Sequence, residues 1–169
     1  MSSRLRAAIG AGVTAGVVML ACVMTGASRV GAGWASPLRW IAAFFGSEPA
    51  LIIAGEASGA ISTPAVITWG LVIHFATAVA WAWLFLLLTD SLSSLRGWRV
   101  ALAGLIYGAA VWAIMTLAAL RVFDDVMYAR VQLLPGIFFG AHLLYGAALA
   151  SYVGLVPKER LRFRPKLEK

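Results

Sequence analysis

Two histidines, His74 and His142, are the residues on which any chemistry in this sequence would turn. Each is followed, four and eight residues on, by small side chains: Ala78 and Ala82 after His74, Gly146 and Ala150 after His142. At helical spacing such a row shares one face. Small residues mark faces where membrane helices approach closely, so both imidazoles are expected to point into a bundle and away from lipid. Ten residues separate Pro64 from His74, and ten separate Gln132 from His142. That places each ring ~15 Å below the outer start of its helix. Three chemistries are open. Neutral imidazoles can hydrogen-bond across helices, with Thr77, Tyr107 or Tyr145 as partners, and need no cofactor. A bis-histidine haem b can sit between the two rings, with the small residues giving it room. A proton or small-solute path can use the histidines as a relay.

The other residue types argue against an enzyme. No G-x-S-x-G, H-E-x-x-H, C-x-x-C or phosphate-cradling loop occurs. The single cysteine, Cys22, lies inside an apolar stretch and forms no disulfide framework or metal knuckle. Glu48, Glu56, Asp124 and Asp125 fall between the apolar stretches, on one side, with Arg29, Arg39, Arg121 and Arg130 to balance them. No acid lies within a span, so an ion-coupled transporter lacks its usual carboxylate. No catalytic residue and no metal ligand is expected.

The elements that position the histidines follow from composition. The 169 residues are 62% apolar and only 12% charged, and four stretches carry no charge: 7–28, 57–89, 100–120 and 131–157. About 20 apolar residues span a bilayer core as a helix, and runs this long and unalternating are not barrel strands. The expected fold is all-α, an integral membrane four-helix bundle with spans near 7–26, 64–89, 100–120 and 132–156. It forms one domain over 1–157, followed by a basic tail over 158–169. The net charge of +7 does not signal nucleic acid. Ten of the basic residues flank one side of the spans and four the other, which by the positive-inside rule puts both termini in the cytoplasm. The tail then rests on anionic lipid headgroups. Arginine outnumbers lysine eleven to three, and alanine and glycine abound, as in a GC-rich bacterial genome. The first stretch has a basic start like a signal peptide, and residues 19–22 approximate a lipoprotein box. Its apolar core of ~18 residues exceeds the usual 7–15, and a retained helix is expected.

Between the first two spans lies the longest connection, an outer cap over 28–62. Ser36 and Pro37 read as a helix cap and first-turn proline, and Gly46 and Pro49 as a stop. Residues 37–45 (PLRWIAAFF) are therefore expected to form a short interfacial helix, with Trp34 and Trp40 at headgroup level. Trp69 and Trp98 fit the same belts, whereas Trp81, Trp83 and Trp112 fall deeper, as packing. The first helix carries Ala8, Gly12 and Gly16 at four-residue spacing, and the third carries Gly104 and Gly108. Gly12 and Gly16 match Gly104 and Gly108 at an offset of 92, and the two histidine rows match at an offset of 68. A tandem repeat of a helix pair is the reading.

The segment Pro37-Leu38-Arg39-Trp40-Ile41-Ala42-Ala43, with His74-Phe75 and His142-Leu143-Leu144-Tyr145-Gly146, resembles small uncharacterised four-helix bacterial inner-membrane proteins. The resemblance implies the same fold and the inner membrane as location, and implies no activity. Ala78-Val79-Ala80 departs from the Tyr-Gly that it would place after the first histidine. Taken together, these features lead to a non-enzymatic accessory or scaffolding subunit of a membrane complex. Its partners would be lipids, other subunits or its own copies, with a small transporter and a haem b electron-transfer protein as alternatives.

Overall fold

A computed structural model describes residues 3–45, 63–91, 98–123, 128–129 and 131–155. Helix α1 (Ser3–Arg29) ends where Gly31 and Gly33 turn the chain with φ of 78° and 82°, left-handed values that side-chain-bearing residues rarely adopt. The short α2 follows (Ser36–Phe45), then α3 (Thr63–Ser91) and α4 (Trp98–Trp112). α4 runs without a break into a π-helical stretch, Ala113–Leu120, and a final turn, Arg121–Phe123. α5 is Pro135–Leu155. Four helices are each long and apolar enough to cross a membrane: Ser3–Arg29, Pro64–Asp90, Trp98–Leu120 and Pro135–Leu155. The chain is thus a helical bundle of membrane-protein character, and the described residues contain no strand.

Glycine sets the spacing. A Cβ at Gly104 or Gly146 would strike the other helix's backbone, and one at Gly108 would strike the His142 carbonyl. α4 and α5 therefore touch backbone to backbone, as small residues allow in a bundle that lacks a hydrophobic driving force between helices. α1 packs along both α3 and α5. On α3 it lays Gly12 against Val79 and Gly16 against Ala78 and Phe75; on α5 it lays Gly26 against Ile137. α3 and α4 approach less closely and meet through side chains, chiefly Tyr107, whose hydroxyl donates to the Trp81 carbonyl at 2.6 Å. At one end of the bundle Arg4 donates to Asp90 at 2.5 Å, tying the start of α1 to the end of α3.

Several expectations change. Pro135 is the first residue of α5, and residues 131–134 form a turn closed by Leu134 N–H to Val131 O at 3.1 Å. His142 is then seven residues into its helix and His74 eleven, so equal counting from helix starts does not set their level. Ser36 does not cap α2 with its side chain; its hydroxyl donates back to the Ala32 carbonyl. Trp40 packs inward. It is 6% exposed and stacks on Phe138 with ring centroids 6.4 Å apart, because α2 folds onto the bundle with the Leu38 carbonyl over Gly70. Trp83, expected as packing, is half exposed on the outer surface of α3. Glu48, Glu56, Asp124, Asp125, Arg130 and the tail over 158–169 lie outside the described residues.

Candidate functional site

Both histidines are buried and line one cavity of about 120 Å³ at the centre of the bundle. α3 contributes His74 with Ile73, Thr77, Ala78 and Trp81; α5 contributes His142 with Phe138 and Tyr145. Met19 of α1 and Ile41 of α2 complete the wall on their sides, and α4 with its π-helical continuation contributes Val111, Met115, Thr116 and Leu120. Three of those α4 residues belong to the π-helical stretch. A π-turn widens the helix and rotates its following side chains relative to an α-helical register, and such turns recur at functional sites.

The expected hydrogen-bond partners of the histidines are not the ones found. His74 Nε2 bonds the Gly16 carbonyl of α1 at 3.0 Å, and His142 Nδ1 bonds the Phe138 carbonyl of its own helix at 2.7 Å. A carbonyl oxygen only accepts, so each of these nitrogens carries the proton. The asymmetry has a steric origin. Gly16 has no side chain to shield its carbonyl from a ring on α3, whereas Gly108 lies so close on His142 that no ring fits between α4 and α5. The tyrosines serve α3 instead. Tyr145 donates to the Ala78 carbonyl at 2.6 Å and Tyr107 to that of Trp81.

Residues 2–162 match a family model, DUF6789, described as a family of unknown function. The chain belongs to that family. No curated protein and no solved structure matches it. The matched region of this DUF6789 protein includes all five helices, so every wall residue of the cavity lies within it.

Sequence reasoning found the two histidines and the glycine rows, but not Met19, Ile41, Met115 or Thr116 as their neighbours. Thr116 offered a signal. It is the one Ser or Thr in the 100–120 stretch, and the structure buries it to 2% exposure. Among the described residues no group of three or more His, Cys, Asp or Glu side chains is placed to hold a metal ion.

Proposed function

We propose that the protein is a non-enzymatic subunit, accessory or scaffolding, of a larger complex in a bacterial inner membrane, with both termini in the cytoplasm. The observation that carries this reading is an open glycine pair. Gly136 and Gly140 stand four residues apart on α5, and a Cβ added at either would meet nothing within 4 Å. Gly12, Gly16, Gly104, Gly108 and Gly146 are all engaged within the bundle, so they are not free for partners. A four-spaced glycine pair that faces outward, with Leu144 continuing the row and 46% exposed, suits the close approach of a helix from another subunit. The buried hydrogen bonds agree with a role outside catalysis. His74, His142, Tyr107 and Tyr145 each bond a backbone carbonyl, and none is paired with another side chain as a nucleophile is with its base.

The haem alternative receives less support from the same geometry. His74 Nε2 is committed to Gly16, and a cavity of about 120 Å³ is well below the ~300–1,000 Å³ of pockets for larger ligands. The tandem repeat is supported by packing. Gly16 lies against Phe75 and Gly108 against Leu143, positions related by the same offset of 68 that relates the histidines. The topology rests on the ten-to-four basic bias, and reporter fusions after residues 95 and 165 should both read cytoplasmic.

The subunit reading is tested by native mass measurement after gentle detergent extraction from the source membrane. The wild type should run in an assembly, and Gly136→Ile with Gly140→Ile should release it as a folded monomer. A wild-type monomer that carries solute flux in liposomes would replace the subunit reading with the transporter.

A further inference from the structure

The central cavity presents two hydrogen-bond acceptors that no described residue satisfies. With the proton of His74 on Nε2 and that of His142 on Nδ1, the neutral rings keep lone pairs on His74 Nδ1 and His142 Nε2. Neither nitrogen has a partner, although both residues are more than nine-tenths buried. Trp112 Nε1 is sealed away without a partner, but neither imidazole nitrogen is sealed in this way. Each therefore still has open volume against it, and the volume both residues line is the cavity.

The rest of the wall is mainly apolar, with the aromatic rings of Trp81, Phe138 and Tyr145 among it. A dry apolar cavity of ~150 Å³ admits a benzene molecule, so about 120 Å³ suits a single six-membered ring. The looser α3–α4 side leaves a direction in which a ring substituent can extend toward lipid. A purely apolar occupant would leave two buried acceptors unmet, which is costly. A carbonyl-bearing ring would set its oxygens against the lone pairs. A ring with hydroxyl groups meets both demands. We propose that this cavity binds a membrane-dissolved hydroxylated aromatic ring, a phenol or a hydroquinone, whose hydroxyls donate to His74 Nδ1 and His142 Nε2.

This site does not depend on the subunit reading, and the test uses the isolated full chain in lipid nanodiscs. Fluorine NMR would follow 4-fluorophenol, 2-fluorohydroquinone and 4-fluoroanisole, with empty nanodiscs to subtract partitioning. The two hydroxylated probes should show a saturable protein-bound signal, and the anisole, which cannot donate, should bind about tenfold more weakly. Tighter binding of 2-fluorohydroquinone than of 4-fluorophenol would identify a hydroquinone using both nitrogens; equal binding would identify a monophenol using one. Ala78→Trp, which fills the cavity, should abolish the signal, and His142→Phe should weaken it about tenfold. Equal binding of 4-fluoroanisole and 4-fluorophenol to the wild type would overturn the proposal, as would the absence of any protein-bound signal. Both of those comparisons hold whether or not the variants fold.

Discussion

The two helix pairs of the bundle, α1 with α3 and α4 with α5, use the same residue types to different ends. In the α1–α3 pair Gly12 lies against the Val79 backbone, while one turn on Gly16 leaves its carbonyl open, and a histidine from the facing helix reaches it. In the α4–α5 pair the glycines bring the backbones together, and the histidine turns back onto its own helix. A cross-helix side-chain bond can stand beside a tight backbone contact, as in α1–α3, or be displaced by one, as at His142. The approach of the facing backbone at the histidine itself decides whether the bond is available. The pair with the closer backbones also borders the π-helical stretch, so the half that packs more tightly also carries the irregular wall of the cavity.

The sharpest way to break the comparison is to add one methyl group to each half. Gly108→Ala drives a Cβ into the His142 carbonyl, and rigid backbone cannot yield as a side chain can. The expected cost is ~3 kcal/mol or more, at the upper end of overpacking effects, read as a large fall in the thermal midpoint of the purified protein. Gly16→Ala meets the Ala78 Cβ and the edge of Phe75 at 3.2 Å, which a small ring movement and a shift of α3 by a few tenths of an ångström relieve. It should cost less than ~1.5 kcal/mol. Equal sensitivity at the two positions would show that the pairs are not packed differently.

Exchanging the histidines for phenylalanine separates the two kinds of bond. His74→Phe removes a bond between helices, for which membrane double-mutant cycles give ~0.6 kcal/mol on average and ~1.7 at most. His142→Phe removes a bond within one turn of α5, and the Phe138 carbonyl keeps its place in that helix. The loss on melting in detergent should be larger for His74→Phe, and the reverse order would mean that the His142 bond also braces the bundle.

Tyr145→Phe and Tyr107→Phe probe how the halves are held to each other, since both hydroxyls reach carbonyls of α3. Each should cost ~0.6 kcal/mol, with Tyr145→Phe the larger because its residue is 2% exposed and the other is half-buried. The smallest effect belongs to Arg4→Gln. Its ion pair with Asp90 has side chains about 30% exposed on both partners. Exposed pairs contribute ~0–1 kcal/mol and weaken with salt. The Tm difference from wild type should therefore shrink as sodium chloride is raised, and a salt-independent difference would point to packing of the arginine stem.

The sequence alone determined the class of the protein, because uncharged runs of more than twenty residues have few stable outcomes besides membrane-spanning helices. It also made the histidine rows legible as inward-facing, because a polar ring heading a row of small residues suits a helix contact better than lipid, whereas glycine pairs such as Gly104 and Gly108 could have served a partner as well. Local signals were weaker guides. The residues before Pro135 were apolar enough to pass for helix, and only the turn at 131–134 shows where α5 begins. Trp40 has the composition of a headgroup anchor, and it is buried because α2 lies over Gly70 and Phe138, residues thirty and ninety-eight positions away. Tertiary structure alone decided the partners of the histidines. Their spacing along the chain is the same in both rows, but a ring bonds whichever carbonyl the neighbouring backbone leaves open, and that depends on an approach of the facing backbone no local pattern encodes. The π-helical register of Ala113–Leu120 belongs to the same category: its residues are ordinary helix formers, and which of them reach the cavity depends on how α4 is seated against α5.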